Sequence, residues 1–217
     1  VLKSAYGPDT TIIDVNGQGF IGFTNNEDNS SKIIGFTITN SNSGAVDIWN
    51  SSPEIENCIF LNNSINNNSG GAINISGTNG DIVNISNTLF EGNSALTGMR
   101  GGAIDIDQDN SSAFIENCIF YNNSADHVGG AINHDNNSHL VIVQSLFVNN
   151  TTNSSWGAGG VNSFAAMSGG YTTIINSIFS GNTNTSGSPE RDVYSTNGFE
   201  IDIDHCILQS EFSSVFN

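Results

Sequence analysis

Residues 113–134 read AFIENCIFYNNSADHVGGAINH, and the parts of this stretch recur in the same order along most of the chain. Phe-x-x-Asn stands at Phe60/Asn63, Phe90/Asn93, Phe120/Asn123, Phe147/Asn150 and Phe179/Asn182. Gly-Gly-Ala-Ile begins at Gly70, Gly101 and Gly129, with Gly159-Gly160-Val161 as a degenerate fourth copy. Self-similarity at a spacing of about 30 residues marks a solenoid, in which each repeat is one coil that cannot bury its apolar face alone.

Aligning the copies on the phenylalanine gives columns. One runs Ile38, Phe60, Phe90, Phe120, Phe147, Phe179, Leu208 and is apolar throughout; another, five residues earlier, is isoleucine at Ile33, Ile55, Ile85, Ile115, Ile142, Ile174 and Ile203. The spacing predicts Phe120 stacked between Phe90 and Phe147. The column just before the phenylalanines (Thr37, Ile59, Leu89, Ile119, Leu146, Ile178, Ile207) is also nearly apolar. Neighbours in a strand face opposite ways, so two adjacent inward columns need a bend close by. The column Gly35, Asn57, Asn87, Asn117, Gln144, Asn176, His205 supplies one, because asparagine tolerates left-handed backbone. It predicts an inward-facing amide ladder at a tight corner, with Asn117 bonded to Asn87 and Gln144.

After each Phe-x-x-Asn comes a polar loop, and then glycines that permit a positive-φ turn into a further strand. That strand alternates Val46/Ile48, Ile73/Ile75 and Ile104/Ile106 inward against Asp47, Asn74 and Asp105 outward. Each unit thus holds three short strands, one tight corner and two loops. The fold predicted is all-β: a single-stranded right-handed parallel β-helix of about seven to eight coils, with residues 1–217 as one domain lacking caps of its own. No two-residue hairpin turns join the strands, which argues against a propeller or sandwich.

The paired Gly-Gly-Ala-Ile and Phe-x-x-Asn signatures resemble polymorphic outer-membrane protein repeats, and residues 9–208 are similar to right-handed β-helix proteins of the pectate-lyase-like superfamily. The resemblance implies a secreted or cell-surface protein, either an adhesin-like module or a polysaccharide lyase or hydrolase. Lyase chemistry on this fold implies an Arg or Lys base beside Ca²⁺, and the only basic side chains are Lys3, Lys32, Arg100 and Arg191. The Asn-Thr-Asp, Gly-His-Gly and Arg-Ile-Lys stations of the related hydrolases are absent from the sequence.

A formal net charge of −17, from 4 Lys plus Arg against 21 Asp plus Glu, excludes an electrostatic footprint for nucleic acid or an anionic membrane surface. No apolar run approaches the roughly 20 residues of a membrane helix. Cys58 and Cys118 share a column two coils apart, about 9.6 Å at the strand spacing and too far for a disulfide, so these and Cys206 are expected as unpaired, inward thiols. Asp105, Asp107 and Asp109 alternate with isoleucine on what reads as a solvated outward face. Of these, Asp105 and Asp107 are candidate Ca²⁺ ligands, the one cofactor expectation. His127, His134, Asp135 and His139 fall in one coil and could be drawn as a Zn²⁺ site, but the spacing is nonspecific and His134 reads as a strand-edge histidine. Trp49, Trp156, Tyr121 and Tyr171 are candidate sugar platforms. Among 13 Asn-x-Ser/Thr acceptors, Asn29, Asn67, Asn110 and Asn153 are the candidate glycosylation sites, being in loops.

The function expected is an extracellular or cell-surface, non-enzymatic structural or adhesive module, an adhesin or structural glycoprotein. Its partners would be other copies end to end in a filament, the rest of a longer surface protein, or carbohydrate. The rival is a polysaccharide-binding domain or a polysaccharide lyase or hydrolase on the same fold.

Overall fold

The computed structural model describes residues 1–78, 80–108, 110–164, 170–196 and 200–210, together with the backbone of the strand Ser213–Val215. Among these residues there is no helix, and the strands stack as a parallel β-solenoid of about 7 turns. Sheet A has 8 strands, from Leu2–Lys3 to Glu200–Asp204, and sheet B has 7, from Ile12–Asp14 to Ile178–Ser180. Sheet C has 8, from Ile21–Phe23 to Ser213–Val215, and sheet D has 5 two-residue strands, from Ser64–Ile65 to Thr183–Asn184.

One coil shows how the sequence builds these sides. Ser112–Glu116 lies in sheet A, Asn117 turns the corner at φ 51°, and Ile119–Tyr121 lies in sheet B. Asn122 turns a second corner at φ 54°, Ser124–Ala125 lies in sheet D, and Gly129-Gly130 leads into Ile132–Asp135 of sheet C. The sequence predicts three strands per coil; sheet D is a fourth side. It exists because the residue before each motif asparagine also takes left-handed backbone, as at Asn62 (φ 53°), Gly92 (φ 65°) and Asn149 (φ 54°). The glycine pair then packs against sheet D more closely than any side chain permits. A Cβ on Gly102 would lie 2.0 Å from the Gly130 carbonyl oxygen and 2.5 Å from that of Ser124.

Phe60, Phe90, Phe120, Phe147 and Phe179 stack along the interior with ring centroids 5.1, 4.8, 4.6 and 4.5 Å apart and planes within 5° of parallel. The spacing is the rise of one coil. The isoleucine column from Ile33 to Ile174 is fully buried beside it, and one apolar cluster runs from Phe23 to Val193. Cys58 and Cys118 are buried and Cys206 partly so, all unpaired. Burial pushes the Cys118 thiol up to about 12, which keeps it protonated and unreactive.

Three expectations are corrected. The column preceding the phenylalanines points outward, because strict alternation holds through Ile59–Leu61 and its counterparts; Ile119, Ile178 and Ile207 are 43%, 44% and 63% exposed. The Asn87 and Asn117 amides are bonded to each other (2.7 Å) but on the exposed outside, and Gln144 is exposed as well. In the αL conformation a tight convex corner carries its side chain away from the core, so the column serves backbone geometry. The inward ladder is instead made by the motif asparagines. Asn63, Asn93, Asn123, Asn150 and Asn182 are buried, and each side-chain amide donates to the next along the row at 2.9–3.1 Å. Finally, His134 is an interior residue of the sheet C strand Ile132–Asp135, in register with Ile106 and Ser163. Its Nδ1 lies 3.0 Å from the Thr172 hydroxyl, and burial pushes its pKa down to about 3.

Candidate functional site

The strands of sheet C turn two columns of side chains away from the core. One runs Asp47, Asn74, Asp105, Asn133, Asn162, Tyr194; the other includes Trp49, Ser76 and Asp107, then Asp135, Phe164 and Thr196. The sequence reads this as a solvated face, and for Asp47 it is one. From Asn74 to Tyr194 the first column is buried, at 6% exposure or less, because loops fold over it. Its amides form a chain: Asn74 Nδ2 donates to Asp47, Asn133 Nδ2 to Asp105 (2.8 Å), and Asn162 Nδ2 to Asn133 (3.0 Å).

Side chains that lie far apart in sequence meet above these columns. Arg100, from the loop before Gly101, forms an ion pair with buried Asp135. Arg191 lies over the Tyr194 ring, 4.5 Å from its centroid, and donates to the Ser155 carbonyl. Arg100, His127, Val128, Trp156 and Phe164 line a cavity of about 190 Å³. Trp156 is 67% exposed and Phe164 37%, so two aromatic faces remain open beside it.

Burial sets the electrostatics here. The Asp105 carboxyl is pushed up to about 8, first by loss of solvent and then by the nearby Asp135 charge. Asp135 is pushed up to about 6 by burial, against the pull of Arg100. The Asp105 carboxyl accepts from the Asn133 amide. Asp107 accepts from Asn136 at 2.6 Å and from the Gln108 backbone N–H. Asp109, the third carboxylate of the run that carries the Ca²⁺ expectation at Asp105 and Asp107, lies outside the described residues. Among the described residues no three His, Cys, Asp or Glu side chains are grouped as metal ligands. The coil with His127, His134, Asp135 and His139 separates them: His134 faces inward, Asp135 outward, and His139 lies on sheet A, stacked 4.2 Å from Tyr171.

The aromatic candidates do not share a face. Trp49 and Trp156 flank sheet C, while Tyr121 stands on sheet B and Tyr171 on sheet A. Asn29, Asn67, Asn110 and Asn153 are all exposed, whereas Asn74, Asn150 and Asn184 carry the same tripeptide with buried side chains.

Asp105 gives the protein a pH dependence whose sign can be worked out. The folded chain holds this proton up to about pH 8, and the unfolded chain releases it near the ordinary value of 3.8, so stability falls as pH rises between the two. His134 acts oppositely, but only up to its ordinary 6.5. Between pH 6.5 and 8 Asp105 gives the largest change, a loss of about 2 kcal/mol, partly offset by the last of the His134 and His127 titration. Denaturant midpoints at the two pH values measure it, and Asp105→Asn, which keeps the acceptor for Asn133, is expected to abolish the difference.

The chain matches no protein-family model, no curated protein and no solved structure. The class is thus defined by the fold and its covered sheet: a parallel β-solenoid with a roofed, aromatic-edged cleft on one side.

Proposed function

We propose that this chain is an extracellular, non-enzymatic surface module, adhesive in role and related to the pectate-lyase-like β-helix proteins and polymorphic outer-membrane repeats whose signatures it resembles. It holds carbohydrate in the cleft over sheet C. The observation that carries this reading is the open Trp156 and Phe164 faces beside a cavity floored by a rigid, hydrogen-bonded sheet. Aromatic faces and a few fixed polar groups in a concavity are the usual makings of a small-ligand site. A catalytic reading has less support, since Arg100 is held by Asp135, and Arg191 by Tyr194 and the Ser155 carbonyl. What favours it is the pair of carboxyls, Asp105 and Asp135, both kept above the usual carboxylate range.

One experiment separates the two. The protein is incubated with acidic and neutral polysaccharides while bound ligand, unsaturated product and new reducing ends are followed. Retention without product is expected. Turnover that disappears in Arg100→Ala or Arg191→Ala would overturn the non-enzymatic reading.

A further inference from the structure

Two buried acceptors beside this cleft have no hydrogen-bond partner among the described residues: Asp135 Oδ1 and Asn162 Oδ1. Both residues are 2% exposed or less. Their place in the sheet puts them around Phe164. Asp135 is its partner in register on the adjacent strand, and Asn162 is two residues before it on the same strand and so on the same face. An unmade bond at a buried acceptor is costly, and two together beside a cavity mark a place where a donor is missing. Arg100 pairs with Asp135 through a partly exposed side chain that also lines the cavity, so the carboxyl lies at its edge.

The charges around the cavity decide what kind of donor fits. The guanidinium of Arg100 is neutralised by Asp135, in a chain of net charge −17. A uronate, sulfate or phosphate entering here meets the field of a strongly acidic chain, with Arg100 paired to Asp135 and Arg191 engaged by the Tyr194 ring and the Ser155 carbonyl. A hydroxyl-rich ring meets no such penalty: its O–H groups donate to the waiting acceptors, and its C–H face lies on an aromatic ring.

We infer that the cleft takes a neutral pyranose unit, its apolar face on Trp156 and Phe164 and its hydroxyls donating to Asp135 Oδ1 and Asn162 Oδ1. This rests on the carbohydrate-binding reading above and narrows it to uncharged sugars.

The test is titration of the full chain, with Trp49 replaced by Phe, against neutral oligosaccharides (gluco-, manno- and galacto-series) and against oligogalacturonate, following Trp156 fluorescence and heat. Saturable binding of at least one neutral series is expected, insensitive to added NaCl. Trp156→Ala, a change at an exposed loop residue, is expected to weaken it about tenfold or more with an unchanged melting temperature, since loss of an aromatic stack is worth about that much. Oligogalacturonate binding in place of the neutral series would overturn the choice of ligand while leaving the cleft a sugar site. No binding of either class would overturn both readings. Neutral binding unaffected by Trp156→Ala would place the sugar elsewhere and remove this site.

Discussion

Asn123→Ala is expected to destabilise the protein by about 5–7 kcal/mol, whereas Asn117→Ala, six residues earlier in the same coil, is expected to cost only about 1 kcal/mol. The buried amide of Asn123 ties three coils together. Its Nδ2 donates to the Phe90 carbonyl and to Asn150 Oδ1, both at 2.9 Å, and its Oδ1 accepts from the backbone N–H and the side-chain amide of Asn93, both at 3.0 Å. Truncation removes all four bonds, and the Asn93 N–H loses its acceptor in a place water does not reach. At about 1 kcal/mol per bond plus 1–3 for the stranded donor, the sum lies in the stated range. For a chain of this size that corresponds to a fall in Tm of about 10–20 °C, read by circular dichroism. Asn117 loses one exposed bond and the residue type that best tolerates φ 51°. Asn117→Gly, free of that strain, is expected to melt within about 2 °C of the parent. Equal effects of Asn117→Ala and Asn123→Ala would show that the inner and outer rows are misassigned.

Both rows recur at the same period, so periodicity alone does not say which faces in. A finer signal was in the columns. The outer row accepts Gly35, Gln144 and His205 among its asparagines, and all of these take positive φ. The inner row is asparagine at five successive positions, with Ser41 before them. A left-handed corner tolerates several residues, since it asks only for a backbone angle. A buried chain of amides requires a donor and an acceptor on one side chain of one length. The phenylalanine and isoleucine columns were legible because bulk and alternation both point inward there. An apolar column is not by itself a buried one: the outer isoleucines show that stacked β-branched side chains also suit an open sheet face.

The cleft was only partly legible. Arg100, Arg191 and Trp156 stand out in the sequence separately, for their scarcity or their ring, but each sits in a loop whose length differs from coil to coil. Columns fix which residues stack within a sheet and leave open which loop residue overhangs which strand. That Asp105 and Asn133 lie beneath a roof follows from the loop path alone, and with it the displaced pKa values. A burial reading from alternation would have called both sides of the sheet C strands correctly as in and out, and still missed that the outer side is covered.

Phe120→Ala is expected to cost about 3–5 kcal/mol, toward the upper end, and to lower Tm by about 10 °C or more. The range for truncating a buried ring reflects how far its surroundings collapse into the space left behind. Here they are held apart. Phe90 and Phe147 lie 4.8 and 4.6 Å from the ring on either side, at spacings set by the coil rise. That rise is fixed by backbone bonds next to the cavity, Ile119 N–H to the Thr88 carbonyl at 3.0 Å and Leu146 N–H to the Cys118 carbonyl at 2.9 Å. Closing the gap means breaking those bonds, so the cavity stays open and the neighbouring rings lose their contacts on one face. Phe120→Leu, which refills most of the volume, is expected to recover more than half of the loss. Ile119→Ala, one residue away but pointing outward and 43% exposed, is expected to cost less than about 1 kcal/mol. The contrast between residues 119 and 120 tests the register directly: a melting temperature indifferent to Phe120→Ala but sensitive to Ile119→Ala would mean that the strand faces are reversed, and with them every column assigned from it.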